Sequence, residues 1–431
     1  MTDIGAALTI LFCLAVIVLP RRQAALAFIA AVLYITQGQA IDVGGVNMVA
    51  IRFVEVAIAI RVVARKEIAN LRITPPDILL LSFFVAYMVV TLVRTSELDA
   101  YTLGLTVDGV LVFFAWRAFI ASPDDLMYFM KGMVFLLVPF AIMMLWEAIK
   151  GENLFYVMGG IPESPIYREG YYRCQGSFRH AITAGTVGAT FFPLFVGLLF
   201  KKQNRLWASL GVVACLTIVI TSHSSGPLMA TIVAVAAWCC WRLRRHMNWV
   251  RLGIVTGLLG MHLLMKAPVW FVFDRISGVI GGDGWHRANI IDKFVYSMGD
   301  WWLIGMPMEY TKNWAATVTK FGYADITNYY VSIGISGGLL SLLLFIALLV
   351  ACFKLVGKGL KSIRTVTIAE NSNYEPVLWG IGSAVAAHTV NLLAVSYWDQ
   401  SYVIWYLHLA VAVSLGAYCV KNQTSKSLVV K

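Results

Sequence analysis

Long apolar runs separated by short polar connections recur along almost the whole chain. A helix needs about 20 mostly apolar residues to cover roughly 30 Å of hydrocarbon, and about thirteen segments meet that standard. They start near Ile4, Ala24, Val46, Asp77, Tyr101, Leu126, Ala181, Leu206, Gly226, Trp249, Asn328, Pro376 and Ser401. The first is the weakest, and without it about twelve remain. The rhythm changes after Trp285, where His286-Arg287-Ala288-Asn289-Ile290-Ile291-Asp292-Lys293-Phe294-Val295 stands between two apolar runs. At helical pitch Arg287 shares a stripe with Ile290, Ile291, Phe294, Val295 and Met298. Basic residues of amphipathic helices normally snorkel from the polar face, so a guanidinium on the apolar face needs an anion to meet it. The pattern predicts an arginine turned from water, holding a negative group at a membrane surface.

Composition fixes the class. Of 431 residues 59% are hydrophobic and 13% charged, with mean hydropathy +0.76, whereas soluble domains carry about 25% charged residues. The expected fold is an all-α polytopic membrane protein. The formal net charge of +11 is patterned. Arg21-Arg22, Arg65-Lys66 with Arg72, Lys201-Lys202 with Arg205, Arg242 to Arg251, Lys354 to Arg364, and Lys421 to Lys431 occupy alternate connections. Short Lys- and Arg-rich loops stay cytoplasmic, so these are read as inside. The charge is a topology signal, with no nucleic-acid partner implied. No basic region precedes the first apolar run and no small-residue cleavage site follows it, which disfavours a cleaved signal peptide.

The organisation that follows is residues 1–150 as N-terminal spans, 151–180 as an outer loop, 181–270 as central spans, 271–327 as a large outer loop, 328–420 as C-terminal spans and 421–431 as a cytoplasmic tail. The two outer loops hold Arg168, Arg173, Arg179, Arg275, Arg287, Lys293, Lys312 and Lys320 where basic residues are normally scarce. Loops of that length in a compact protein are usually functional. They are also rich in aromatics, among them Tyr172, Trp285, Trp301 and Trp314. Such rings anchor at headgroup depth or stack on sugars.

Of seven cysteines only Cys174 falls in an outer loop, so disulfides are not expected and Cys174 is expected to be accessible. No CxxC, HExxH or acidic pair at metal-ligand spacing occurs, so neither a metal nor another cofactor is implied. Gly281-Gly282-Asp283-Gly284 reads as a hinge, and Ser222-His223-Ser224-Ser225-Gly226-Pro227 as a tight outer turn. Arg52, Glu55 and Arg61 lie in the third span and Asp108 in the fifth. Charges in lipid pair with one another, so Arg52 is expected to bind Glu55 or Asp108.

Several stretches together resemble the O-antigen ligase and polymerase superfamily. Thr74-Pro75-Pro76-Asp77 is similar to its "TPxD" motif, and Arg173-Cys174-Gln175-Gly176-Ser177-Phe178-Arg179-His180 to its "RxxGxFxHP", with Ala181 in place of proline. His286-Arg287 followed by Asp300-Trp301-Trp302-Leu303-Ile304-Gly305 resembles its "R…DHPLxGxG" loop, with Trp301 where histidine is common. Asp325-Ile326-Thr327-Asn328-Tyr329-Tyr330 and Gly334 to Gly338 resemble its "HNxYL…G". The resemblance implies a GT-C-like helical bundle in the bacterial inner membrane that polymerises or ligates glycan repeats on the periplasmic face. The donor would be a polyprenyl-diphosphate-linked glycan and the acceptor a glycan or lipid-linked glycan. Membrane lipids, a flippase and chain-length regulators would be its surroundings. Asp325, Thr327 and Asn328 stand where ligases carry an acceptor-activating histidine, which favours a polymerase or an exopolysaccharide-specific relative over a ligase.

On that reading the released diphosphate must be stabilised by arginines, since they can hold phosphate oxygens in bidentate fashion. Arg179 and Arg287 are the first candidates, with Arg173 and Arg275 next. The acceptor hydroxyl needs a base within hydrogen-bond reach, for which Asp325 leads, followed by His180 and His286. Asn328, Trp285 and Tyr172 would add substrate contacts. A structural role would make Asp325 a helix cap. A lipid-linked glycan transporter or flippase, or a non-catalytic assembly subunit, would bind the same diphosphate without making bonds, although no repeated half with broken helices is evident.

Overall fold

The computed structural model describes residues 1–44, 46–69, 71–315, 318–319, 321–365, 374–398 and 400–429. Lys320 and residues 430–431 lie outside them. Helices α1 (Asp3–Val18), α2 (Arg21–Tyr34), α3 (Ala50–Ala64), α4 (Pro75–Thr95), α5 (Ala100–Phe119) and α6 (Pro123–Lys150) form the first part. Helices α7 (Ala181–Leu199), α8 (Arg205–Thr221), α9 (Ser225–Cys239) and α10 (Met247–Leu264) follow. Three shorter helices, α11 (Val272–Ile280), α12 (Gly284–Tyr296) and α13 (Met298–Trp301), precede α14 (Tyr329–Thr365), α15 (Glu375–Asn391) and α16 (Ser401–Val429). Among the described residues nine helices are long and apolar enough to cross a membrane, and Asp3–Val18 is a shorter apolar helix. The chain is an all-α polytopic membrane protein by this architecture.

The helix starts follow capping chemistry. Thr74 and Asp77 form a capping box at the head of α4, Asp77 Oδ2 accepting from the Thr74 N–H and hydroxyl at 2.6 Å each. Asp77 also takes Arg117 Nη1 from α5, and the pair is fully buried. Ser122 caps α6 through the Asp125 N–H, with Pro123 in the first turn where no amide partner is lost. The third span departs from expectation. β2 (Val46–Val49) pairs with β1 (Ala40–Val43) as an antiparallel hairpin, and helix begins only at Ala50. The β-branched valines suit a short ribbon beyond the helix end.

α7 is the central helix, buried along most of its length, and packs against α8, α9 and α15. α14 packs against α4 and α16. The intramembrane charges are satisfied in pairs: Arg52 Nη2 donates to Asp108 Oδ2 at 2.9 Å, and the Tyr402 hydroxyl donates to Glu55 Oε1 at 2.5 Å. Arg52 therefore chooses Asp108.

Two motif segments meet where α14 breaks. Gly338 has φ +70°, and a Cβ there would stand 2.7 Å from the Leu303 carbonyl. The turn after Trp301 docks on the break, Met306 N–H donating to Ile335 O at 2.7 Å and Leu339 N–H to Trp302 O at 2.8 Å. Trp301 is buried beneath it, stacked on Phe294 at 4.0 Å with its Nε1 donating to Phe294 O. Trp301 and Trp314 thus form the interior of the large loop, while Trp285 and Trp302 are exposed.

Candidate functional site

A cavity of about 680 Å³ gathers both long loops at one end of the bundle. Its walls come from the hairpin of β3 (Ile166–Arg168) and β4 (Tyr171–Arg173), the head of α7, the α8–α9 turn, the α11–α12 link and the segment before α14. These segments are distant in sequence. Arg168, Arg173, His180, Ser224, Ser225, Gly282, Asp283, His286, Arg287, Asp325 and Thr327 all line it.

The charges are arranged unequally. Glu169 Oε1 accepts from Arg168 Nε at 3.1 Å, and Asp283 caps α12 by accepting the His286 N–H at 2.9 Å. Arg287 and Arg173 are left with hydroxyls. Both terminal nitrogens of Arg287 lie 3.2 Å from Ser225 Oγ, and Arg173 Nη2 lies 3.5 Å from Ser224 Oγ. Among the described residues neither arginine has an ion pair. Burial is the largest cause holding both guanidinium pKa values below the usual range; Asp283 opposes it and Arg173 adds to it for Arg287, while Arg168 adds to it and Glu169 opposes it for Arg173. An arriving anion would relieve that mutual repulsion.

The lining also holds three histidines, His180, His223 and His286, and the Asp325 carboxylate. Burial is the largest cause holding the His180 pKa below its ordinary value, followed by Arg173, while Asp325 pulls in the opposite direction. His180 is therefore neutral near pH 7 and can accept a proton. His286 Nε2 stands 3.0 Å from the backbone carbonyl of Asp325, tying α12 to the segment before α14. The cap of α14 is Asn328, whose Oδ1 accepts from the Tyr330 and Val331 N–H groups at 3.0 and 3.2 Å. Asn328 is buried in that role and Asp325 is exposed at the cavity, so the cap is not Asp325.

Of the residues singled out from sequence, Arg173, His180, His286, Arg287 and Asp325 come together here. Arg179, Arg275, Asn328, Trp285 and Tyr172 are not in the cavity lining. Arg179 is exposed and its backbone N–H donates to Gln37 Oε1 at 3.0 Å. Arg275 lies exposed on α11, and Trp285 points to the outside of α12. Tyr172 belongs to an adjoining depression of about 380 Å³ with Tyr167, Tyr171 and His223. There Tyr171 stacks on His223 at 4.5 Å, and Tyr171 and His223 border both spaces.

The α12 stripe also needs correction. Ile290 and Phe294 are buried, but Val295 and Met298 are exposed. Arg287 turns to the α8–α9 turn and meets Ser225 there. Cys174 is a further correction: although in an outer loop it is fully buried, its N–H donating to Thr221 O at 3.1 Å. Burial pushes its thiol pKa well up.

Sequence reasoning missed Arg168, Ser224 and Ser225. A polar run beside Gly226-Pro227, facing the same side as both arginine-bearing loops, was the available signal. The Gly281-Gly282 link is more than a hinge: at Gly282, φ +95°, a Cβ would come 2.4 Å from Ser225 Oγ. Only glycine lets this link lie against the serine that holds Arg287. Among the described residues no group of three or more His, Cys, Asp or Glu is placed to hold a metal.

A polytopic helical membrane protein with a cationic, hydroxyl-lined cavity at one end is the class that fold and site define. No protein-family model matches the chain, and no curated protein matches it in sequence.

Proposed function

We propose that the chain is a membrane glycosyltransferase of surface-polysaccharide assembly, polymerising or ligating polyprenyl-diphosphate-linked glycans on the outer face of the bacterial cytoplasmic membrane. The observation that carries this reading is that Arg173 and Arg287, neither in an ion pair among the described residues, share one cavity with His180 and Asp325. Guanidinium groups hold diphosphate oxygens through paired N–H bonds, and that charge develops as the donor bond breaks. Arg173 and Arg287 would bind the diphosphate. Asp325, or failing it His180, would take the proton of the acceptor hydroxyl as its oxygen bonds to the anomeric carbon. The bond from that carbon to the diphosphate breaks, and polyprenyl diphosphate leaves with its electron pair. The adjoining Tyr167, Tyr171 and Tyr172 surface would seat sugar rings.

Purified protein in vesicles, supplied with a polyprenyl-diphosphate glycan, tests the proposal. New glycosidic bonds are expected. Movement of the lipid to the opposite leaflet without bond formation would make the protein a flippase, and neither outcome would make it an assembly subunit.

A further inference from the structure

At the end of the bundle opposite the arginine cavity, a second cavity of about 650 Å³ lies between the α9–α10 corner, the last turns of α14, and α15. α14 contributes Lys354, Lys358, Lys361 and Arg364, whose spacing places them along one helix face. Arg244, Arg245 and Arg251 approach from the α9–α10 side. Among the described residues one carboxylate answers them: Glu375 Oε1 accepts from Arg244 Nε at 3.0 Å and Arg364 Nε at 2.6 Å. Among the described residues no partner meets the buried Arg364 Nη2.

Like charges three and four apart on a helix repel. Attraction to the negative helix end acts only over the last turn. It accounts for Arg364 alone, and the topology rule that keeps Lys354, Lys358 and Lys361 on one side of the membrane does not say what their shared face meets. Lys354 and Lys358 also form the rim of another groove, about 360 Å³, on the far side of α14, walled by Leu79, Ala347, Val350, Ala351 and Leu355. The first cavity likewise has an apolar wall, from Phe353, Val356, Leu360 and Trp379. A ridge of cations between two apolar troughs matches a ligand with phosphate at its centre and hydrocarbon on both sides. A free polyanion would leave the troughs empty.

We propose that this ridge is a binding site for an anionic phospholipid of the adjacent leaflet, its phosphates on Lys354, Lys358 and Lys361 and its acyl chains in the flanking troughs. Phosphate oxygens would accept charge-assisted hydrogen bonds from the ammonium groups and cancel their mutual repulsion.

The test is binding of diphosphatidylglycerol to the purified full-length protein, followed by native mass spectrometry and by the shift in thermal unfolding. Phosphatidylcholine and inorganic pyrophosphate are compared at equal concentration. Diphosphatidylglycerol alone is expected to bind and stabilise. A cation beside an anionic headgroup contributes a factor of about five in affinity, so Lys354→Gln with Lys358→Gln and Lys361→Gln should weaken binding on the order of 100-fold. Single Lys354→Gln should weaken it about five-fold, which keeps the test open if the triple variant does not fold. Lys202→Gln with Arg205→Gln, in another basic connection, should leave affinity unchanged. Equal stabilisation by pyrophosphate would replace the lipid with a soluble polyanion. Equal loss in the Lys202 and Arg205 variant, or none in the α14 variants, would reduce the site to general surface charge and overturn the proposal.

Discussion

Arg287 places Nη1 and Nη2 each 3.2 Å from the single hydroxyl oxygen of Ser225. One oxygen thus occupies two of the five N–H donors of the guanidinium and leaves the others for a ligand. Ser225 is the first residue of α9, and Arg287 lies in the first turn of α12. The contact therefore locks α12 to α9 while keeping the arginine available to an anion. Arg173 makes a single, longer contact to the neighbouring Ser224, its Nη2 standing 3.5 Å from Oγ.

Arg287→Ala and Arg173→Ala should each lower glycan transfer about 100-fold or more, the range for losing a donor aimed at developing charge. Lysine should rescue poorly, since an ammonium lacks the planar fork. Ser225→Ala should cost about ten-fold, corresponding to one hydrogen bond to a charged group. Arg275→Ala and Arg179→Ala, outside the cavity lining, should lose far less. Polymer length and donor turnover measured on purified variants check the order. Wild-type transfer in Arg287→Ala would remove it from the site.

Gly282→Ala tests the backbone side of the same contact. Its Cβ would meet Ser225 Oγ at 2.4 Å, at a φ that side chains rarely adopt. A left-handed residue with a Cβ costs about 1–2 kcal/mol, so thermal stability should fall modestly. Transfer should fall more than in Ser225→Ala, because the whole α11–α12 link is displaced. Unchanged transfer would mean that the link moves freely without disturbing Arg287.

The helical framework was legible because apolar length marks the spans and some starts are written locally. Thr74 and Asp77 announce α4, Ser122 and Pro123 announce α6, and hydrophobic length does the rest. That Arg52 would bind Glu55 or Asp108 followed from the cost of charge in lipid, and the packing of α3 on α5 decides for Asp108. The cavity was less legible. Arg173, His180, Arg287 and Asp325 stood out as basic or titratable groups in outer loops, but hydrophobic periodicity says nothing about which loops fold over each other. Ser224 and Ser225 looked like turn residues because their partners lie 51 and 62 positions away. Cys174 looked accessible because a loop beside a membrane was equated with exposure, whereas Phe178, Ser177 and Cys174 are packed into the core beneath it.

Cys174 gives a test of sidedness through its silence. Fully buried, with its thiol pushed up by burial, it should resist a membrane-impermeant maleimide in intact spheroplasts. In a Cys239→Ser, Cys240→Ser background, Tyr167→Cys should be labelled from outside, since Tyr167 is 62% exposed in the outer hairpin. Lys202→Cys should be labelled only after permeabilisation. The reverse pattern would invert the membrane orientation.

The base can be identified from pH dependence. As a hypothesis, Asp325 takes the acceptor proton, and Asp325→Asn should keep donor binding while transfer falls by about 100-fold or more at every pH. A capping role cannot explain such a loss, because Asn328 caps α14. If His180 is the base, the outcome differs in kind. Its pKa is depressed by burial first and by Arg173 next, and is opposed by Asp325. The neutral form needed for proton acceptance would then persist below the usual histidine range, and transfer would fade only as pH drops through that lowered value. Arg173→Gln would raise the His180 pKa and move the acidic limb to higher pH. Asp325→Asn, by removing the charge that favours imidazolium, would move it to lower pH while sparing the plateau. A pH profile of transfer in both variants separates the two assignments, and a preserved plateau in Asp325→Asn would transfer the role to His180.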